Sequence, residues 1–254
     1  MLGRILDVLF PTECLGCGRG SWPFCAACRR RIALLTPPGC RRCGRPLEYW
    51  VDDCSDCPPA PISWARAAFL YEGAVRDALI RLKFGGLRAT AAAMAPWMVW
   101  ALARSPPEVP ADRAPAVVTW APLGGRRRRT RGYDQAELLA RAVGGIMGCS
   151  PRRLLRRVVE TAPQARRSGL DRRRGIRGAF EATCDAPSRI LLIDDVLTSG
   201  STVASCALAL RRAGAREVGV LAVARSLGGA VPARCYNSPM SQPGSVVARE
   251  RSSR

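Results

Sequence analysis

Histidine is absent from this chain of 254 residues, and Lys83 is the one lysine among its 40 basic residues. The lack of histidine excludes Ser-His and Cys-His nucleophile pairs, imidazole general bases and histidine-ligated metals. Any metal site must therefore be built from cysteine, aspartate or glutamate. The sequence also lacks the GxxxxGK[ST] loop of P-loop nucleotidases and the GxGxxG turn of dinucleotide-binding folds.

No secretory signal and no membrane-spanning segment can be recognised in the sequence. The apolar run at 5–10 is too short for the core of a signal peptide. The apolar stretch 91–103 is also short, and Pro96 interrupts it. We therefore expect a cytoplasmic protein without membrane insertion, whose twelve cysteines serve metal or redox chemistry rather than disulfides.

Acidic residues are scarce, since 20 of them accompany 40 basic residues and the formal net charge is +20. The arginines are concentrated in clusters at 126–131, 152–157 and 166–177. Such clusters favour anionic partners, and we expect phosphorylated metabolites, nucleic acid or both. A solvated surface is the alternative interpretation of any single cluster.

Eight of the twelve cysteines form four Cys-x-x-Cys pairs, namely Cys14/Cys17, Cys25/Cys28, Cys40/Cys43 and Cys54/Cys57. A two-residue spacer lets a tight turn direct both thiolates at one metal. Eight thiolates suit two closed, structural Zn²⁺ sites, and we favour joining neighbouring pairs, 14/17 with 25/28 and 40/43 with 54/57. An interleaved pairing and an iron–sulfur cluster are the alternatives.

The proline-rich segment 58–61 predicts a boundary between a zinc ribbon module, residues 1–60, and a second domain, residues 61–226. In the second domain, predicted strands alternate with predicted helices, which indicates an α/β fold with a mostly parallel sheet covered on both faces. We expect a mobile loop at 160–178 and a disordered tail at 227–254. The predicted strands are 67–71, 116–121, 190–193 and 218–223, and the predicted helices are 75–84, 87–104, 134–147 and 202–213.

A buried strand at 190–193 leads into Asp194 and Asp195, then into a turn rich in hydroxyls and a helix. The hydroxyl side chains are those of Thr198, Ser199, Ser201 and Thr202. A helix start offers free N–H groups and a positive dipole end, and Gly200 permits a close backbone approach. The segment therefore predicts a site for a sugar 5-phosphate, with the carboxylates binding ribose hydroxyls. A Walker B strand or a plain capped helix is the alternative.

This segment resembles the 5-phosphoribosyl-1-diphosphate signature of type I phosphoribosyltransferases, and the wider chain resembles the ComF family, which is linked to DNA uptake in competent bacteria. The resemblance covers residues 5–226 and includes the cysteine module. The other matching motifs are Leu82–Gly86, Pro122-Leu123 followed by Arg131–Gln135, Thr161–Gln164 and Arg177–Phe180.

The resemblance implies a type I phosphoribosyltransferase-like domain behind a double zinc ribbon, with Mg²⁺ bound alongside the donor. It implies catalytic roles for Asp194 and Asp195, which bind the ribose hydroxyls, and for Lys83 and Arg131, which neutralise the diphosphate. For Lys83 the alternative is a cation that only stabilises a helix end. Residues 160–178 would close over the site. The implied donor-binding residues are Val196, Thr198, Ser199, Gly200, Ser201 and Thr202 for the 5-phosphate and Pro122, Leu123 and Gly124, with Gly125, for the diphosphate.

The chain departs from the family pattern at two places. Tyr133-Asp134 stands where the family often has Phe-Asn, and Gly175 stands where it often has Asn. The added carboxylate of Asp134 lies beside the implied diphosphate loop, where a binding role would require it to pair with an arginine or help to hold Mg²⁺.

Three functions fit these expectations. The first is a phosphoribosyltransferase that acts in DNA uptake on an acceptor the sequence does not identify. The second is a non-catalytic module that senses the diphosphoribose donor or binds nucleotides. The third is a factor that handles single-stranded DNA through the zinc module and the arginine clusters. Proteins of the competence machinery are further expected partners.

Overall fold

The computed structural model describes residues 13–106, 115, 117–159 and 178–237. The strands are β1 (Trp64–Leu70), β2 (Val117–Trp120), β3 (Leu155–Arg157), β4 (Phe180–Ala182), β5 (Arg189–Leu197) and β6 (Glu217–Arg225). The helices of this part of the chain are α1 (Ala26–Arg29), α2 (Gly73–Phe84), α3 (Ala89–Ala103), α4 (Gly125–Arg131), α5 (Gln135–Met147), α6 (Ser201–Arg212) and α7 (Arg234–Asn237). The central sheet is parallel, with the order β1-β6-β5-β2. The predicted α/β class is thus confirmed.

Helices cover both faces of the central sheet. Along β5, Leu191 and Ile193 pack with α2, α3 and α5, whereas Ile190 and Leu192 pack with α6. A strand that is buried on both faces requires a continuous apolar run rather than an alternation of apolar and polar residues. The uninterrupted run at 190–193 therefore reflects a strand in the interior of the sheet.

Strand β5 is longer than the sequence predicts. It continues through Asp194 and Asp195 to Leu197, because β6 is equally long and pairs with it up to Leu197↔Arg225. The two acids therefore lie within the strand rather than after it. The apolar run alone could not show this, since the partner strand determines where pairing ends.

Helix α4, the strand pair β3 and β4, and the four-residue helices α1 and α7 were not predicted from the sequence. Helix α4 has no buried residue, so it lacks the apolar periodicity that would identify it. It also begins at Gly125, which we expected in the preceding loop. The antiparallel pair β3 and β4 has three residues in each strand, too few for a recognisable alternation.

The cysteine module packs directly on the sheet domain. The N–H group of Leu35 donates to the carbonyl of Ala68 at 2.9 Å, and that of Leu70 donates to the carbonyl of Ala33 at 3.0 Å. The segment 33–35 therefore runs antiparallel along the outer edge of β1. Cys14, Leu15 and Phe24 also belong to the core that includes α2 and α3. A shared core therefore crosses the proposed boundary at 60/61.

Part of the expected tail is ordered against this module. Residues 227–237 are described, and Cys235 in α7 is fully buried, with its carbonyl accepting from the N–H group of Leu34 at 2.8 Å. Arg234 donates to the carbonyl of Pro38 at 2.8 Å. The expectation of a disordered tail is therefore wrong for 227–237, because these contacts fix the segment. Residues 238–254 lie outside the described residues.

Candidate functional site

The first cysteine cluster lies against the start of α2. The cluster contains Cys14, Cys17, Cys25 and Cys28, whose Sγ atoms lie within 4.8 Å of one another. The N–H group of Cys25 donates to Sγ of Cys14 at 3.3 Å, which favours a thiolate there. A Cβ atom placed on Gly16 would lie 2.7 Å from Cβ of Ala74, so the turn between Cys14 and Cys17 contacts the helix closely.

The second cluster lies beside β1 and β6. The cluster contains Cys40, Cys43, Cys54 and Cys57, again within 4.8 Å of one another. The Sγ atoms of Cys40 and Cys57 are 3.5 Å apart, and those of Cys43 and Cys54 are 3.4 Å apart. A hydrogen bond from the Cys40 thiol, followed by the charge of Arg225, lowers the pKa of Cys43.

Both clusters fit structural zinc. Four sulfurs at about 2.3 Å from a tetrahedral metal lie about 3.8 Å apart, close to the observed separations. The structure groups the neighbouring pairs, as the sequence favoured, rather than interleaving them. Each cluster supplies all four ligands from the protein, so neither has an open position for substrate. Two four-cysteine sites therefore fit two structural zinc ions.

The two loops implied in donor binding lie at one edge of the sheet. Parallel strands place their carboxyl ends together, and β2 and β5 are neighbours. The segment Pro122–Gly124 follows β2, and Thr198–Gly200 follows β5 and leads into α6. In doubly wound α/β folds, ligands bind outside the carboxyl ends of the strands. The fold therefore brings both loops to the edge where such a ligand would bind.

Hydroxyl side chains converge in the turn after β5. The hydroxyl oxygens of Ser199 and Ser201 are 2.8 Å apart, so these two side chains converge. Thr198 and Ser199 are exposed, whereas Ser201 is buried, and Val196 and Thr202 are half-buried. Gly200 is the N-cap of α6 and has φ of 72°, a left-handed conformation that favours glycine.

The two carboxylates are not equivalent, because consecutive residues of a strand point to opposite faces. Asp195 is only 6% exposed, and its Oδ2 lies 3.0 Å from Nζ of Lys83. Asp194 accepts a hydrogen bond from the N–H group of Asp195 at 2.9 Å and interacts electrostatically with Cys206 of α6. Burial, followed by the charge of Asp195, raises the pKa of Asp194 to about 8.

Lys83 contacts Asp195, and Arg131 interacts electrostatically with it. Lys83 is in the last turn of α2, yet its ion pair with Asp195 gives it a partner beyond the helix end. Arg131 ends α4, donates to Oε1 of Gln135 at 2.9 Å and stacks over the Phe84 ring, 4.7 Å from the centroid. Burial lowers the pKa of Arg131, and the charge of Asp195 opposes this shift. Lys83 therefore contacts this strand-end carboxylate, and Arg131 lies within electrostatic range of it.

Asp134 connects the start of α5 to the loop after β2. Its Oδ1 accepts from the N–H group of Ala136 at 3.0 Å, which makes it the helix N-cap. Its Oδ2 accepts from the N–H group of Leu123 at 2.8 Å. The residue is only 4% exposed. Its carboxylate is therefore occupied by backbone donors, which accounts for an acid at this position without a metal or an arginine partner.

Tyr133 makes contacts that sequence reasoning did not identify. Its hydroxyl donates to the carbonyl of Leu82, and the guanidinium of Arg88 lies 4.8 Å from the centroid of its ring. These contacts join the end of α2, which carries Lys83, to the start of α5. The position stood out only as a departure from the family pattern, since the contact spans 51 residues of sequence.

The predicted closing loop cannot be compared with the structure, since 160–177 lies outside the described residues. Strands β3 and β4 lie on either side of this range in the sequence and pair with each other. Their side chains Arg156 and Glu181 form an ion pair at 2.7 Å. The motif Thr161–Gln164 and residue Arg177 also lie outside the described parts. Within the described ranges, no helix is both long enough and apolar enough to cross a membrane.

Comparison with known proteins identifies relatives along most of the chain. Residues 5–58 match the model of the double zinc ribbon domain family. DNA utilization protein YhgH of Salmonella typhi is 31% identical over 216 residues, which cover 81% of this chain and 92% of that protein. Competence protein F of Haemophilus influenzae is 27% identical over 210 residues, which cover 80% of this chain and 90% of that protein.

The predicted double zinc ribbon is confirmed by the family match together with the two cysteine clusters. YhgH of Escherichia coli K12 is 29% identical over 212 residues, which cover 82% of this chain and 92% of that protein. The similarity thus extends beyond the ribbon into the parallel-sheet domain. The chain belongs to the ComF family, together with Competence protein F and DNA utilization protein YhgH.

Proposed function

We propose that this chain binds 5-phosphoribosyl-1-diphosphate and transfers its phosphoribosyl group to an acceptor, in the uptake or use of DNA. The observation that carries the proposal is the meeting, at one sheet edge, of the hydroxyl turn 198–202, the loop 122–124 and the cations Lys83 and Arg131. The names of the relatives supply the DNA context.

The turn after β5 suits the 5-phosphate of the donor. Helix α6 has twelve residues, and its positive dipole end and first N–H groups lie at the turn. The convergent hydroxyls of Ser199 and Ser201 add donors for phosphate oxygens. Gly200 allows the backbone to approach the ligand. This combination recognises a compact dianion attached to a sugar.

The part of the edge that carries Lys83 and Arg131 suits the diphosphate of the donor. Lys83 and Arg131 lie near Asp195, and a diphosphate carries more negative charge than this single carboxylate. The carboxylate of Asp195, beside Lys83, is an oxygen ligand of the kind that Mg²⁺ prefers, whereas Asp194 lies on the other face of β5. Mg²⁺ bound with the donor would neutralise the leaving diphosphate.

Transfer requires little acid–base chemistry from the protein. The bond between the anomeric carbon and the diphosphate oxygen breaks, and its electron pair leaves with the diphosphate. Positive charge develops on the sugar, and a lone pair of the acceptor forms the new bond to the anomeric carbon. Lys83 and Arg131 would stabilise the leaving charge, which suits a protein without histidine.

A second candidate function is the handling of single-stranded DNA, which the relatives' names favour. Arg41 lies 5.6 Å from the ring centroid of Trp50, which is 39% exposed, and Arg104 lies 5.2 Å from that of Trp100. Trp100 is half-buried, whereas an exposed ring beside an arginine, as at Trp50, can stack with bases. Donor sensing without turnover is a variant of the first proposal.

The test is a binding and turnover screen on the zinc-loaded chain with Mg²⁺. Bases, nucleosides and oligonucleotides serve as acceptors, and diphosphate release is measured. Release only with an acceptor supports transfer, and binding without release, lost in Asp195→Ala, supports sensing. Salt-sensitive DNA binding that survives Asp194→Ala and Asp195→Ala supports the second function. Failure of the wild type to bind the donor contradicts the first proposal.

A further inference from the structure

The chain segment that leaves the second cysteine cluster lies directly on the hydroxyl turn. Cys57 is the last ligand of that cluster, and Pro58 and Pro59 follow it. A Cβ atom placed on Gly200 would lie 2.8 Å from Cβ of Pro58 and 3.3 Å from Cδ of Pro59. The peptide at Gly200 is therefore in contact with a stiff segment whose start is fixed by a cluster ligand.

Arg225 provides a second connection between the same two regions. It ends β6 and pairs in register with Leu197, the last residue of β5 before the turn. Ser226 extends this pairing, since its N–H group donates to the Leu197 carbonyl at 3.0 Å. The Arg225 side chain, from a residue 2% exposed, donates to the carbonyl of Cys43 at 2.7 Å and to that of Asp56.

The charge of Arg225 fits this location. A zinc ion with four thiolates has a net charge of about −2, and buried charges require partners. Arg66, 5% exposed, donates to the carbonyl of Arg41 at 2.7 Å and to that of Arg42 at 3.3 Å, beside the same cluster. Within the described parts of the chain, neither Arg66 nor Arg225 forms an ion pair with a carboxylate. The two guanidinium groups would therefore compensate the charge of the zinc-loaded cluster.

We infer that Arg225 and Pro58 are positioning residues, through which the zinc-loaded second cluster fixes the turn 198–202 in the conformation that binds the ribosyl phosphate. The effect on ligand binding rests on the proposed function, whereas the restraint of the turn by Arg225 and Pro58 does not. Arg225 fixes the strand end from which the turn departs, and Pro58 restrains its central peptide. The zinc ribbon would then help to shape the binding site through these two contacts.

Ligand binding to the full zinc-loaded chain tests this inference. Ribose 5-phosphate reports on the turn, and inorganic diphosphate reports on the side of Lys83 and Arg131. We expect Arg225→Met to weaken ribose 5-phosphate binding about tenfold, with diphosphate affinity within about twofold of the wild type, as for other outer partners of metal sites. Arg225→Lys, which keeps the charge, should recover part of the affinity. Equal loss of both ligands would overturn the inference.

Hydrogen exchange gives a readout that does not require a ligand. The N–H group of Ala204 donates to the Gly200 carbonyl at 2.8 Å, and that of Leu138 donates to the Asp134 carbonyl at 3.1 Å in the matching turn of α5. In Arg225→Met and Pro58→Gly, exchange at Ala204 should accelerate about tenfold while Leu138 is unchanged. Unchanged exchange at Ala204 would refute the link. Altered exchange in a protein whose wild type binds neither ligand would leave the link standing and refute the proposed function.

Discussion

Nζ of Lys83 lies 3.0 Å from Oδ2 of Asp195, so an ion pair joins the last turn of α2 to the carboxyl end of β5. Both side chains are largely buried, at 19% and 8% exposure. A buried charge that loses its partner is costly, whereas removal of both partners is tolerated better. Lys83 and Asp195 therefore stabilise this edge of the sheet, and they are also charged groups that the proposed ligand would contact.

Lys83→Met should lower the free energy of unfolding by about 2–4 kcal/mol, because it leaves Asp195 buried without its cation. The double variant with Asp195→Asn should lose less than the sum of the single changes. Urea denaturation of the zinc-loaded protein measures this. Arg76→Met, at an exposed contact 3.9 Å from Asp77, is the control and should cost under about 0.5 kcal/mol. Additive effects of Lys83→Met and Asp195→Asn would contradict the coupling.

Asp134→Ala should lower the free energy of unfolding by about 2 kcal/mol, since it removes the α5 cap and the acceptor of the Leu123 N–H group. Asp134→Asn should cost less, because one oxygen can still cap the helix. Its amide nitrogen cannot accept, so exchange of the Leu123 N–H group should accelerate. Exposed Asp77→Asn is the matched control. An unchanged Leu123 exchange rate in Asp134→Asn would show that Oδ2 does not restrain the loop.

The stability of the ligand-free protein should fall as pH rises because of Asp194. Its folded-state pKa of about 8 lies above the ordinary value of an aspartate, so the folded state retains a proton that the unfolded state has released. The stabilising contribution is complete below about pH 4 and is lost as pH approaches the folded-state pKa. The difference in unfolding free energy, Asp194→Asn minus wild type, should therefore increase from acid to neutral pH. A difference that does not change between about pH 4 and pH 8 would contradict this prediction.

Metal analysis should find two zinc ions per chain, one for each cysteine cluster. Cys57→Ser should reduce the content to one, because three thiolates bind zinc more weakly than four. Exposed Cys184→Ser, outside both clusters, should retain two. Iron absorbance bands, or a single metal in the wild type, would contradict the assignment.

Gly200→Ala should destabilise the protein by about 2 kcal/mol or more, since its φ is 72° and the new Cβ would lie 2.8 Å from Pro58. Gly132→Ala separates the two causes, because φ is 74° there but no atom lies within 4 Å. Gly145→Ala, in α5 with open space, should stabilise by about 0.5–1 kcal/mol. Equal costs at Gly200 and Gly132 would mean that Pro58 yields without penalty.

What could be predicted from the sequence was local. The Cys-x-x-Cys spacing indicated both clusters, because the two thiolates of each pair are fixed by a single turn. The apolar run at 190–193 and the hydroxyls at 198–202 indicated a strand, a turn and a helix, because each signal lies within a few residues. The order of strands and helices was sufficient for the fold class.

What could not be predicted depends on contacts between distant residues. Asp194 and Asp195 were expected to act as a pair, but the partner strand β6 extends β5 and places them on opposite faces. The contacts of Pro58 with Gly200 and of Arg225 with Cys43 link residues far apart in the sequence. Buried Cys235 has no local pattern that distinguishes its segment from a disordered tail.

The segment 33–35 covers the outer side of β1, which is an edge strand of the sheet. An uncovered edge strand presents unpaired backbone groups that another chain can join. The metal-dependent module thereby also shields the sheet from self-association. Loss of zinc would therefore do more than destabilise the amino-terminal region. It would expose the backbone N–H and C=O groups of this edge strand, through which several molecules could associate.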